Sequence, residues 1–251
     1  MWPYLNLKDE AVPVKPEVSI VIPCYNEEPL LLESVAEIQK VMDTTRYSYE
    51  MVFVDDASCD RTPELIKRLC AQHPNCRYLL HRNNVGRGGT VNDGLRLAKG
   101  RIAGFLDIDL EVHARYIPAL LAEIDAGECS VATVRRVYKL KLTPQAILRT
   151  LLSAGYRRIV RTALRLPLSD TESGFKFFDR QSIMPVIEDT VDTGWFWDTE
   201  IMALSLRHGL TVKEIPGLFQ RRVDKTSSVK IVADTYAYVR ALTDFRRRRA
   251  A

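Results

Sequence analysis

Along the first half of the chain, short, mostly apolar runs alternate with longer stretches whose apolar positions recur at three- and four-residue spacing. The runs predict strands near 18–22, 50–54, 76–80, 102–106 and 129–134, and the periodic stretches predict helices near 28–43, 61–73, 90–98 and 115–126. Such alternation of mostly apolar strands with helices makes the expected fold class α/β: one mostly parallel central sheet with helices on both faces. That domain is expected over 18–230. Ahead of it the first 16 residues hold three prolines and little periodicity, which predicts an irregular arm over 1–17. Behind it a helix is expected from Val229 to Arg246, so that 231–251 forms a C-terminal helix and basic tail. Asp60, Arg61, Thr62 and Pro63 make a good helix start, with Asp60 as its cap.

Composition fits an ordinary folded enzyme domain: 251 residues, 46% hydrophobic and 27% charged, can bury one large core. No apolar run approaches the roughly 18 residues of a membrane span, and the N-terminus lacks a basic-then-apolar leader. The expectation is a cytoplasmic protein. Five cysteines without a Cys-x-x-Cys pair point to idle thiols rather than a disulfide framework or a zinc site.

Charge is unevenly placed. From Cys129 to Ser169 there is no acid, while Arg135, Arg136, Lys139, Lys141, Arg149, Arg157, Arg158, Arg161 and Arg165 supply nine positive charges in a chain of net charge +4. Within that stretch Gln145 to Leu166 reads as an amphipathic helix or helix pair carrying an Arg157, Arg161, Arg165 stripe, and Arg246 to Arg249 form a second basic cluster. An anionic membrane surface suits such a pattern; so does a solvated helix packed on the sheet. The modest net charge and the lack of a reading motif exclude nucleic acid as the partner.

Three strand ends carry the candidate chemistry. The run Ile102 to Leu106 leads into Asp107 and Asp109, the run Tyr49 to Val54 into Asp55 and Asp56, and Val18 to Ile22 into Pro23-Cys24-Tyr25-Asn26-Glu27-Glu28. Carboxyl ends of parallel strands face a ligand crevice, and paired carboxylates suit a hard divalent cation that carries a diphosphate. The same residues also suit turns and helix starts, with Asn26 as a cap. Neither Gly-x-Gly-x-x-Gly nor a Gly-Lys-Ser/Thr loop follows the first strand, so a dinucleotide fold and a P-loop are excluded. Gly86, Gly88 and Gly89 punctuate a loop with Arg82 and Arg87, where backbone can approach a ligand and arginine can meet phosphate.

The set Val18 to Glu27, Val54 to Thr62, Arg82 to Gly88 and Asp107-Ile108-Asp109, in that order, resembles the family 2 glycosyltransferases of GT-A fold. Farther on, Asp170-Thr171-Glu172-Ser173-Gly174-Phe175-Lys176-Phe177-Phe178 is similar to the signature of the subgroup that includes dolichyl-phosphate glucosyl- and mannosyltransferases. The resemblance covers roughly 18–230. It implies an inverting transfer of a hexose from a nucleotide sugar to a polyprenyl phosphate, giving a β-linked glycosyl phosphate lipid. In this reading Pro23, Tyr25, Glu27, Asp55 and Asp56 contact base and ribose, and Gly86 and Arg87 line the donor site. Asp109 is the direct metal ligand, Asp107 a ribose or second metal contact, and the ion is Mg²⁺ or Mn²⁺. Gly174 lets backbone pass next to the donor sugar and Lys176 meets a phosphate; lysine there favours UDP-glucose slightly over GDP-mannose. Asp198 orients donor or acceptor, or acts as base where the acceptor is a hydroxyl; helix capping competes with both. Arg222, Ser228 and Lys230 hold phosphate from a closing loop, with Val229 departing from the subgroup's commoner Gly-Ser-Lys spelling. The implied partners are the donor, the lipid acceptor, and an anionic membrane surface or a membrane protein at the cytoplasmic face. A non-catalytic, membrane-associated nucleotide-sugar-binding protein is the alternative of a different class.

Overall fold

The computed structural model describes residues 4–8, 15–138, 162, 164, 166–222 and 231–250. Arg157, Arg161 and Arg165 of the expected stripe, and Ser228 and Lys230 of the expected loop, lie outside them. Among the described residues one sheet runs in the order β1-β4-β3-β2-β5-β7-β6-β8. Its strands are β1 (Tyr4–Lys8), β2 (Val18–Cys24), β3 (Tyr49–Asp55), β4 (Cys76–His81), β5 (Ile102–Leu106), β6 (Val131–Tyr138), β7 (Phe175–Asp179) and β8 (Val212–Phe219). The pairs β2·β3, β2·β5, β3·β4 and β6·β8 are parallel; β1·β4, β5·β7 and β6·β7 are antiparallel. Helices α1 (Leu31–Met42), α2 (Thr62–Gln72), α3 (Arg87–Leu97) and α4 (Ile117–Asp125) match the expected four within a few residues, and α4 is preceded by a 3₁₀ turn, Ala114–Tyr116. Farther along, the described residues include helices Arg180–Asp189, Trp197–Arg207 and Ile231–Ala250.

Both faces are covered, as the apolar runs require. Ile20 and Ile22 of β2 enter a core with Leu31, Val35 and Ile38 of α1, while Val21 between them enters the opposite core with Val91 and Leu95 of α3. Each such fully buried aliphatic side chain contributes about 1.5–3 kcal/mol. The second core also receives Phe196, Trp197 and Ile201, together with Tyr238, Leu242 and Phe245 of the last helix.

Three expectations need correction. The arm over 1–17 is not wholly irregular, because Tyr4–Lys8 adds an antiparallel strand to the edge of β4. Asn26 caps no helix: at φ 56° it turns the chain, and its side-chain oxygen accepts from the Cys59 amide at 2.8 Å. The arginine cluster is no loose tail, since the last helix runs to Ala250 and Arg248 bonds buried Glu200 at 2.8 Å. Arg136, one of the nine positive charges of the acid-free stretch, grips buried Asp170 through two bonds of 2.7 and 2.8 Å. No helix among the described residues is long and apolar enough to cross a membrane. The five cysteines are free thiols, four of them buried.

Candidate active site

The carboxyl ends of β2, β3 and β5 open side by side, and the loops that follow them carry three non-glycine residues in left-handed backbone: Asn26 (φ 56°), Ala57 (φ 62°) and Leu110 (φ 50°). Backbone strain of this kind costs about 1–3 kcal/mol per residue and clusters where a site holds it in place. The first two loops are stitched together. Asn26 donates its amide to Ser58 Oγ at 2.8 Å, and Asp60 accepts from the Thr62 amide at 2.9 Å and the Glu28 amide at 3.1 Å. Asp60 is therefore not the cap of α2, which is Arg61; one residue ahead of it, Asp60 bonds the first helical amide and ties the two loops.

Of the expected donor contacts, Tyr25 is exposed, Pro23 half-buried and Glu27 buried, with the Glu27 amide donating to Thr62 Oγ1 at 2.8 Å. Asp55 is buried; its Oδ2 accepts from the Ser58 amide at 3.1 Å, while Oδ1 has no hydrogen-bond partner among the described residues. Burial raises its pKa, with the Ser58 bonds pulling the other way. An orphaned buried acceptor is the feature a base or ribose donor would satisfy. Asp56 has a different surrounding. Its Oδ1 accepts from the Val85 amide at 2.8 Å and lies 3.0 Å from His81 Nδ1, and its Oδ2 accepts from the Gly86 amide at 3.0 Å.

Beyond β5 the structure gathers five of the expected residues. Arg87, first residue of α3, donates to Asp107 Oδ1 through Nε at 3.1 Å and Nη2 at 2.7 Å, and to Asp198 Oδ2 through Nη1. Its guanidinium lies 5.5 Å from the Phe105 ring centre and 5.7 Å from that of half-exposed Trp195. Burial works against the arginine's charge, but Asp107 and Asp198 outweigh it and its pKa is raised. Lys176, fully buried in β7, donates to Asp198 Oδ1 at 2.6 Å and to the Ser173 carbonyl. Its pKa is lowered by burial, against the pull of Asp198. Asp198 caps no helix, because both oxygens are held by cations. Gly174 passes so close to Asp107 that a Cβ would sit 1.8 Å from its Oδ2, and the Gly174 carbonyl accepts from the Asp107 amide at 2.9 Å.

Asp107 is the open member of this cluster, its side chain 41% exposed. Two residues on, Asp109 Oδ1 accepts from the Glu111 amide at 3.2 Å, and Glu111 Oε1 in turn accepts from the Arg222 amide at 3.3 Å. Arg222 is thereby brought to the Asp109 loop, while its guanidinium lies 3.5 Å from Glu33 of α1. Sequence reasoning missed Glu111, His81 and the Asp93 carboxylate of α3; only their places beside the singled-out loops could have drawn attention to them. Trp197 belongs to the core, its indole N–H donating to Asn92 Oδ1 at 3.0 Å.

The pattern described as glycosyl transferase family 2 matches residues 19–186, two-thirds of the chain. The chain belongs to that family. The family's GT-A fold agrees with the sheet and helices above. Glycosyltransferase AglD of Haloferax volcanii is 30% identical over 220 residues, 87% of this chain and 35% of that protein. A dolichyl-phosphate beta-glucosyltransferase of Saccharomyces cerevisiae is 27% identical over 218 residues, 79% of this chain and 65% of its own length. This chain therefore spans between about a third and two-thirds of the curated relatives it matches. In fold it is similar to the glucosyl-3-phosphoglycerate synthase of Mycobacterium tuberculosis in complex with Mn²⁺, UDP and glucosyl-3-phosphoglycerate: TM-score 0.60 at 19% identity, covering 94% of this chain and 80% of the other.

A divalent ion fits the residues present. Among the described residues no three His, Cys, Asp or Glu side chains are gathered into a metal cage. Mg²⁺ needs none, since it is commonly bound through one or two carboxylates, water and the substrate's phosphates, and the donors at Asp107 and Asp109 are hard oxygens. Asp107 presents its carboxylate to solvent just past the carboxyl end of β5.

Proposed function

We propose that this protein transfers a hexose from a nucleotide sugar to a polyprenyl phosphate, with inversion, to give a β-linked glycosyl phosphate lipid. The observation that carries the reading is Asp198 held between Lys176 and Arg87 behind the half-exposed Asp107. A carboxylate whose two oxygens both receive cationic donors is a fixed anchor, not a base awaiting a proton. A phosphate acceptor needs no such base: its second ionisation lies near pH 6, so it arrives largely as a dianion able to attack the anomeric carbon directly. The relatives that carry dolichyl phosphate and beta-glucosyl in their names point the same way. A hydroxyl acceptor would first require Asp198 to release one of its cations.

In this mechanism the orphaned Asp55 oxygen accepts a hydrogen bond from the base or ribose. Pro23, Tyr25 and Glu27 wall the same pocket, and Gly174 lets the backbone pass close to the sugar. Arg87, pinned on Asp107 and Asp198, fixes the electrostatics of the pocket where the leaving diphosphate gains charge. Asp109, with Asp107, would hold Mg²⁺ or Mn²⁺, which supplies Lewis-acid stabilisation of that leaving group. Arg222, Ser228 and Lys230 belong to the acceptor side. Lys176 in place of arginine tilts the donor to UDP-glucose over GDP-mannose. Docking at the cytoplasmic membrane face through the basic stretch, with no span of its own among the described residues, would bring the pocket to its lipid.

Incubation of the pure protein with radiolabelled UDP-glucose, GDP-mannose and related donors, a short-chain polyprenyl phosphate and Mn²⁺ tests the reading. The expected result is a labelled lipid that releases its sugar in mild acid. Label transferred only to glycosides bearing free hydroxyls would favour the hydroxyl-acceptor reading, and no transfer with clear UDP binding would favour the non-catalytic one.

A further inference from the structure

His81 ends β4 with its side chain only 1% exposed. Each ring nitrogen faces a carboxylate: Nδ1 hydrogen-bonds with Asp56 Oδ1 at 3.0 Å, and Nε2 lies 3.2 Å from Asp93 Oδ2, an ion-pair contact outside hydrogen-bond geometry. Two carboxylates this close to the ring favour the imidazolium cation over the neutral form. Burial opposes the charge, but the two carboxylates outweigh it and hold the pKa up at about 9.

Asp56 carries the contact onward. Its two oxygens receive the consecutive amides of Val85 and Gly86, and its backbone carbonyl receives the Asn84 side chain at 3.2 Å. Gly86 adopts φ 91°, and a Cβ there would sit 2.5 Å from the Thr193 carbonyl oxygen, so the turn follows one narrow path. The next residue is Arg87, whose guanidinium reaches Asp107 and Asp198. Asp93 lies on the same helix, so His81 also fixes α3 downstream of that turn.

We propose that His81 is a positioning residue for transfer, acting through Asp56 on the Val85–Gly86 turn and so on the aim of Arg87 at Asp107 and Asp198. The proposal rests on the transfer reading above. It separates His81 from ordinary core residues, because its loss should disturb one turn and one arginine rather than the sheet.

The test compares the parent with His81→Leu and His81→Gln, the latter retaining an amide donor for one carboxylate. His81→Leu should lower kcat about 10²-fold, as expected for a misplaced pocket group. The donor KM should move far less, and His81→Gln should recover part of the loss. Hydrogen exchange without substrate should show the Val85, Gly86 and Arg87 amides opening faster in His81→Leu, with the amides of α1 unchanged. A His81→Leu enzyme with parental kcat, or exchange that accelerates equally through the sheet, would overturn the proposal. Should His81→Leu not fold, His81→Gln and Asp93→Asn are read by the same two measures. If the parent transfers no sugar at all, the transfer reading falls, and the exchange arm still decides whether His81 holds the turn.

Discussion

Gly174→Ala is expected to disable the site while leaving the fold in place. An added Cβ would lie 1.8 Å from Asp107 Oδ2, 2.4 Å from its Cγ and 2.7 Å from Arg87 Nη2. Non-bonded carbons and oxygens settle near 3.5 Å, so the carboxylate must retreat by about 1.7 Å. Backbone movement offers little relief. The Gly174 carbonyl accepts from the Asp107 amide at 2.9 Å, and the next residue, Phe175, is already paired with Leu106 in the sheet. Asp107 must therefore rotate away, breaking the 3.1 and 2.7 Å bonds from Arg87. A misplacement of about 1 Å costs on the order of 10²-fold in rate, or about 2.7 kcal/mol of barrier. Overpacking costs folding about 1–3 kcal/mol, at the lower end here because Asp107 borders solvent, and thus a few degrees in Tm. The assay is kcat/KM for the nucleotide sugar alongside a thermal melt. A Gly174→Ala enzyme within about threefold of the parent would refute the argument that the close approach sets the Asp107–Arg87 geometry.

Asp109→Ala should abolish transfer, a loss of about 3 kcal/mol or more of barrier, and should remove the extra Tm gain that Mg²⁺ or Mn²⁺ confers on UDP binding. Equal stabilisation by UDP with and without metal in the parent would count against a shared site. Arg77→Met should destabilise the fold by about 3–5 kcal/mol in urea titration, because it strands Glu50, which is 0% exposed and paired to Arg77 at 2.8 Å. A change below about 1 kcal/mol would show that Ser19 and the Lys99 amide satisfy Glu50 without it. Since the His81 pKa is about 9 against 6.5 unfolded, its stabilising share is complete below about pH 6.5 and disappears as pH rises through 9. That share is on the order of 3 kcal/mol, so urea stability should fall between pH 7 and pH 10, and fall less in His81→Gln.

Strands β2 to β5 were legible because a parallel strand buried on both faces is mostly apolar: 102–106 is so at every position and 18–22 at all but Ser19, whose hydroxyl is buried on Glu50. Helices α1 to α4 were legible because each buries one stripe. Strand β7 was not, because its Phe175-Lys176-Phe177-Phe178-Asp179 run places a lysine in the core, an assignment that makes sense only once Asp198 stands beside it. Strand β8 mixes Lys213, Glu214 and Pro216 with its apolar residues, as an edge strand can, and its pattern is weak. The residues at strand ends were visible as chemistry-bearing types, but their roles were not. Asp55 and Asp56 read alike in sequence, yet one keeps an orphaned oxygen and the other is bound by His81, Val85 and Gly86.

The sequence alone determined the family, the α/β class and the crevice at which acids would gather, because apolar periodicity and strand-end residue types are local properties. Only the tertiary structure decided that Arg87, Asp107, Lys176 and Asp198 form one cluster, and that Asp56 serves the turn before α3. These pairings join residues 20 to 111 positions apart. Their energies depend on burial and on distances of about 3 Å, which packing creates and no local pattern encodes.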